Sequence, residues 1–156
     1  MCIRDRLYLA DSLGSLRPRE TFKITNYFKK YWQGELGIHA HNNQQLAFAN
    51  TIEAIIQGIN FLDGTIFGIG RAAGNCPLEL LLGFLKNPKF NIRPILDVLG
   101  RDFVKLREEI EWGYTIPYMI TGILDLHPRA GMKLRNSEDK DEYLGFYEKL
   151  TSEANV

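Results

Sequence analysis

The sequence is poor in cysteine and histidine and carries no surplus of charge. Two cysteines, Cys2 and Cys76, in 156 residues exclude a disulfide framework and make a reducing compartment the expectation. Lys+Arg and Asp+Glu both number 19, so the charge surplus of a nucleic-acid-binding surface is absent. No apolar run approaches the roughly 18 residues a membrane span requires, and the opening Met1-Cys-Ile-Arg-Asp-Arg6 lacks a signal-peptide core. No Gly-Lys-Ser/Thr follows the glycine-rich stretch, which excludes a P-loop, and no downstream ribose-binding acid completes a dinucleotide fingerprint. With 45% hydrophobic and 24% charged residues, the chain reads as a cytoplasmic globule with neither membrane nor nucleic acid as a partner.

The chemistry is concentrated in Leu36-Gly-Ile-His-Ala-His-Asn-Asn43. Side chains two apart on a strand leave from one face, so His39 and His41 point the same way. Paired neutral imidazoles are half of a transition-metal site. An isolated His-x-His is more often a pair of ordinary polar residues closing a half-buried strand, so the reading depends on what surrounds it.

Around it the apolar periods alternate. Leu7 to Ala10 read as a strand buried on both faces, ended by Asp11. Thr21 to Trp32 suit a helix with Ile24, Phe28, Tyr31 and Trp32 facing inward, after Pro18 at its start. The histidine strand follows, then a helix striped by Phe48, Ile52, Ile55, Ile56 and Ile59, then a strand near Phe61 that breaks into glycines. In a parallel sheet or barrel of this order, ligand-binding groups gather at the carboxyl ends of the strands, where Asp11, His39, His41 and Asp63 lie.

Glycines 64, 68, 70 and 74 let backbone N–H groups approach a ligand, and Pro77 at a first helical position aims a helix N-terminus at the same corner. The plainer alternative is a tight strand-to-helix turn. Arg71 can clamp a carboxylate bidentately, or be an exposed surface arginine. Asn43 is expected to cap the following helix.

Three ordered motifs, Tyr8-Leu-Ala-Asp-Ser-Leu-Gly-Ser-Leu-Arg-Pro18, Gly37-Ile-His-Ala-His-Asn42 and Asp63-Gly-Thr-Ile-Phe-Gly-Ile-Gly-Arg-Ala-Ala-Gly-Asn-Cys-Pro-Leu-Glu79, resemble the last three strands of the pyruvate carboxyltransferase-like TIM barrels. That superfamily includes 4-hydroxy-2-oxovalerate aldolase, 3-hydroxy-3-methylglutaryl-CoA lyase and the isopropylmalate and homocitrate synthases. The resemblance covers about residues 7 to 85. It implies a divalent metal on His39 and His41, with Asn75 as a further ligand or a support for the ligands. Mn²⁺ is favoured, and the mixed nitrogen and oxygen donors also permit Mg²⁺ or Zn²⁺. The implied substrate-side residues are Asp11, Arg71 and Gly74, with Asn42 steadying the imidazoles. For Asp11 the alternative is a turn residue capping its own backbone. The family's acidic metal ligand belongs to an Arg-Asp motif on the first strand, which is not found here. The lyase branch carries a catalytic cysteine in a Gly-Gly-Cys-Pro-like motif that precedes the asparagine; Cys76 follows Asn75, so it reads as a small buried residue at a helix start.

A complete eight-fold barrel needs about 250 residues, against 156 here. The fold expected is therefore α/β: about three strand-helix units from the C-terminal part of a (β/α)8 TIM barrel, followed by a helical C-terminal extension. Residues 1–6 read as an artificial start, 7–90 as the last three β/α units and 91–156 as the extension, a route to homo-oligomers. Within it, Ile92 to Glu111 read as one helix and residues 112–122 as irregular and aromatic. His127 reads as a loop residue, and Tyr143, Phe146, Tyr147 and Leu150 stripe a docked amphipathic helix.

A metal held this way suits aldol or Claisen chemistry on a 2-oxo acid through a stabilised enolate. The expected function is a 4-hydroxy-2-oxovalerate aldolase-like carbon–carbon lyase, inactive as the short chain alone, with its general base outside this stretch. The alternatives are an acyl-CoA-dependent 2-isopropylmalate or homocitrate synthase-like acyltransferase and a non-enzymatic interaction piece.

Overall fold

Short β-branched and leucine-rich runs separated by helical stripes pair in parallel, because each strand returns to the sheet through a helix. A computed structural model describes residues 5–154. Strands β1 (Arg6–Asp11), β2 (Glu35–Ala40) and β3 (Phe61–Leu62) form one parallel sheet in the order β1-β2-β3. The register sets Ala10 beside His39 and Ile38 beside Leu62. All three carboxyl ends therefore lie along one edge.

Helices α1 (Pro18–Tyr31) and α2 (Ala47–Ile56) make the first two crossovers. Pro18 occupies the first turn of α1, and the Arg17 N–H donates to the Glu20 carboxylate at 2.8 Å, closing that turn. Ile24 and Phe28 pack on the sheet as the spacing predicts. Tyr31 does not: it is 65% exposed, because the chain leaves the helix at Trp32 in an extended conformation and brings that indole onto the core instead. On α2 the buried stripe is Ala47, Asn50, Thr51 and Ala54, with Phe48 and Ile52 at its flanks, while Ile56 is 69% exposed. Small side chains let this helix lie close on the sheet, so the larger isoleucines are displaced to its sides.

Leu9, Leu36, Ile38, Ala40, Ala54, Ile59, Cys76 and Leu81 make the core between sheet and helices. Strand β1 is not buried on both faces as expected. Leu9 and Asp11 are buried, whereas Tyr8 and Ala10 are exposed on the other face, over which the described residues place no second layer. That open face is the one from which His39 projects, since it alternates with the core-facing Ile38 and Ala40.

After β3 the chain makes a short 3₁₀ turn over Ile66–Gly68 and enters α3 (Leu78–Leu85). Pro77 precedes that helix rather than opening it. The expected single helix from Ile92 to Glu111 is a continuous helical path of three parts: α4 (Arg93–Val98), a wider π-type turn over Leu99–Phe103 and α5 (Val104–Glu109). The stretch expected to be irregular contains α6 (Ile116–Ile123), and α7 (Arg129–Arg135) follows it. Pro117 and Pro128 each sit where a helix begins and lacks N–H partners, so they start these helices rather than break them. Helix α8 (Tyr143–Ala154) docks through the buried Leu150. Among the described residues no helix is long and apolar enough to cross a membrane.

Ile38 is fully buried at the centre of the sheet. Its replacement by alanine is expected to lower the urea unfolding free energy by about 3 kcal/mol, the ordinary cost of a large-to-small change in a core.

Candidate metal centre

Two imidazoles on one strand become a ligand pair only if their rings are held. The His39 Nδ1 lies 3.1 Å from the Asp63 Oδ2 at the end of β3. The His41 Nδ1 lies 2.6 Å from the Asp11 backbone carbonyl at the end of β1. A carboxylate and a carbonyl can only accept, so each Nδ1 carries a proton, and in the neutral imidazole the Nε2 is the nitrogen with the lone pair. The ring centroids are 4.9 Å apart and the planes 85° to each other. Parallel pairing produces this arrangement, because it lays the ends of β1 and β3 on either side of the histidine strand.

Asn75 arrives from the glycine-rich turn. It forms an antiparallel bridge with His41, flanked by hydrogen bonds from the Asn42 N–H to the Gly74 carbonyl (2.9 Å) and from the Cys76 N–H to the Ala40 carbonyl (3.2 Å). Its Nδ2 donates to the Ile69 carbonyl at 3.1 Å, leaving Oδ1 buried without a partner. A buried amide oxygen with no donor is costly unless something else satisfies it. Imidazole nitrogen and amide oxygen are donor types that suit a divalent ion. Among the described residues no cluster of three or more His, Cys, Asp or Glu is assembled.

Asp11 is the turn residue that caps its own backbone. Its Oδ1 accepts the Ser15 N–H (3.0 Å) and the Leu16 N–H (3.4 Å), while its backbone carbonyl holds His41. The side chain is buried and its Oδ2 has no partner. Burial raises its pKa above the ordinary carboxylate value, against the opposing pull of the Leu16 and Ser15 N–H groups and His41.

A sequence model of the HMGL-like family matches residues 4–100. The chain belongs to the HMGL-like family. The oxaloacetate decarboxylase of Mycobacterium tuberculosis is 39% identical over 80 residues, 51% of this chain and 24% of that protein. The 4-hydroxy-2-oxovalerate aldolase of Pelotomaculum thermopropionicum is 38% identical over 88 residues, 56% of this chain and 26% of that one. The aligned stretch thus spans about a quarter of the length of these curated relatives. A crystal structure of the N-terminal domain of a candidate aldolase from Bacteroides vulgatus superposes with a TM-score of 0.77 at 35% identity, covering 85% of this chain and 46% of that one.

The HMGL-like match includes the glycine-rich turn, where part of the backbone is engaged within the protein, while among the described residues the N–H groups of residues 70–73 make no hydrogen bond to it. The Phe67 N–H donates to the Glu79 carboxylate, and the N–H groups of Gly68, Asn75 and Leu78 reach the carbonyls of Thr65, Gly68 and Thr65. At the N-terminus of α3 the Leu78 N–H is thus taken by the chain's own Thr65 carbonyl. Both backbone groups of Gly74 are occupied, its N–H by the Arg71 carbonyl and its carbonyl by the Asn42 N–H. A Cβ there would collide with the Gly68 carbonyl oxygen, and φ is +77°, so only glycine fits. The Arg71 side chain is exposed. Asn42, not Asn43, closes the turn before α2: its Oδ1 accepts the Ala47 N–H at 3.2 Å. Asn43 is instead buried against Gly14 and Gly122, where larger neighbours would not fit.

The Asp63 contact to His39 extends the expected site. Its signal was its place at the carboxyl end of the strand after the histidines, adjacent in any parallel sheet. His127 lies in the turn before α7, where its Nδ1 accepts the Arg129 N–H. Cys76 is fully buried, and burial pushes its thiol up to about 11 from 9.0. The native state holds this proton where the unfolded thiol loses it, so its stabilising contribution is full below about pH 9 and lost as pH climbs towards 11. In a Cys2→Ser chain, Ellman's reagent at pH 8 is expected to find no reactive thiol until denaturant is added; rapid labelling of the folded chain contradicts this.

Proposed function

We propose that this chain forms three β/α units of a (β/α)8 barrel in a divalent-metal-dependent carbon–carbon lyase acting on a 2-oxo acid, of the 4-hydroxy-2-oxovalerate aldolase type. The carrying observation is that both imidazoles have their Nδ1 engaged by acceptors on the neighbouring strand ends, which leaves Nε2 as the nitrogen for a ligand, and that Asn75, bridged to His41, has an amide oxygen with no donor. His39, His41 and the Asn75 Oδ1 would hold the ion, with Mn²⁺ favoured. Bound there, a divalent ion supplies Lewis acidity that polarises a keto group and stabilises the enolate left by carbon–carbon cleavage.

The chain's own residues prepare for this. Asp63 fixes the His39 tautomer and ring plane, and the Asp11 carbonyl does the same for His41. Asn42 ties the end of the histidine strand to the glycine-rich turn through Gly74. Arg71, exposed on that turn, would meet the carboxylate of a 2-oxo acid.

The relative named oxaloacetate decarboxylase, at 39% identity, favours a second reading within the same chemistry. Loss of carbon dioxide from oxaloacetate and retro-aldol cleavage of a 4-hydroxy-2-oxo acid both leave the enolate of pyruvate, so one electrophilic centre serves either.

Calorimetric titration with Mn²⁺ is expected to give one ion per chain. His41→Ala should abolish uptake, and Asp63→Asn should weaken it by about tenfold by releasing the His39 ring. Equal affinity in all three chains overturns the site. In an enzyme carrying this stretch among its remaining strands, pyruvate release from 4-hydroxy-2-oxovalerate, compared with release from oxaloacetate, separates the two readings.

A further inference from the structure

Phe67 is a non-glycine residue with left-handed backbone angles, φ 55° and ψ 22°. Such a conformation persists only where neighbours impose it. Its N–H is fixed by Glu79 at 3.0 Å. Its carbonyl is fixed by the indole N–H of Trp112 at 2.9 Å, from a residue 45 positions further along the chain. Trp112 is 3% exposed, and a buried indole N–H needs an acceptor. The two rings meet edge to face with centroids 5.9 Å apart, and the Arg107 guanidinium lies 4.8 Å from the Phe67 ring centre. The next residue, Gly113, donates its N–H to the Ala72 carbonyl at 3.2 Å. Consecutive residues after α5 therefore grip both ends of the turn.

The two residues after Phe67 support Asn75. The Gly68 carbonyl accepts the Asn75 backbone N–H at 3.0 Å, and the Ile69 carbonyl accepts its Nδ2 at 3.1 Å. The two acceptors belong to the next two peptides along the chain from the one the Trp112 N–H holds. We propose that Trp112 is a positioning residue for Asn75, its indole N–H holding the Phe67 carbonyl and, through Gly68 and Ile69, the orientation of the Asn75 amide. This rests on the reading of Asn75 as a ligand of the metal centre. It also gives the aromatic stretch after α5 a part in the site, which its sequence alone did not.

Trp112→Phe removes the N–H and keeps the ring. Amide hydrogen exchange measured by NMR is expected to show Asn75 exchanging about tenfold faster in this variant, the loss of one supporting hydrogen bond, with Ile38 in the core unchanged. Mn²⁺ affinity should fall about tenfold. The same substitution in an Asn75→Ala background should cause no further fall, because the group it positions is gone. Unchanged exchange at Asn75, loss of Ile38 protection in parallel, or affinity losses that multiply in the double variant each overturn the proposal. If the parent chain binds no Mn²⁺, the metal reading fails by itself, and the exchange at Asn75 alone decides whether Trp112 positions it.

Discussion

The arrangement depends on the hydrogen bonds that hold the two imidazoles from opposite sides, the Asp63 carboxylate on His39 and the Asp11 carbonyl on His41. Each acceptor belongs to a different strand, so neither contact exists until both neighbours of β2 are in register. Parallel pairing brings the strand ends level, and the pleat turns both rings away from the helices. A one-residue slip would move the histidines into the hydrophobic layer and the isoleucine out of it. Register, ring orientation and burial of Ile38 are consequently one constraint seen from three places.

Backbone requirements rather than side-chain packing govern the second part of the site. Between β3 and α3 the chain doubles back so that residues 74–76 lie against the end of β2. This close approach needs glycine at position 74, where any Cβ would strike the Gly68 carbonyl. The glycine-rich stretch therefore serves chiefly to bring Asn75 beside His41. The N–H groups of Phe67, Gly68, Gly74 and Asn75 complete the turn, and the buried amide oxygen of Asn75 is left without a partner.

Much of this is legible in the sequence, for reasons that differ by element. The His-x-His pair, the apolar runs and the glycine punctuation are local signals, and they locate the strands, the first two crossovers and the site's principal residues. Along α2 and just beyond it, Phe48, Ile52 and Ile59 pack on the core as the period predicts, but Ile56 is exposed, and amphipathic reasoning, which follows the largest apolar side chains, misses the smaller Ala47, Asn50, Thr51 and Ala54 that are buried. The choice between Asn42 and Asn43 turns on a one-residue difference in where the chain bends, which composition does not encode. Tyr31 is misplaced because it is the last residue of α1 and stays exposed, while Trp32, where the chain turns extended, takes the place on the core. Helices α6 and α7 escape because proline and glycine are read as breakers, although Pro117 starts a helix and Gly122 allows close packing on Asn43.

The same long-range contacts alter how the C-terminal segment should be understood. Gln44 Nε2 donates to both the Ser15 and the Gly122 carbonyls at 3.1 Å, joining the loop after β1, the loop after β2 and helix α6. Asn43 packs beside the same helix and reaches the Tyr118 carbonyl at 3.5 Å. Trp112 and Gly113 bond the turn after β3. Residues 112–122 thus touch the segment following every strand of the sheet. Each such hydrogen bond contributes only about 1 kcal/mol net, too little to create the fold but enough to select one loop geometry from several of similar energy. A site built on loops needs that selection, since ligand atoms must be held to within a fraction of an ångström. The helices after the third β/α unit are therefore better described as the frame of the site than as an appendage to it.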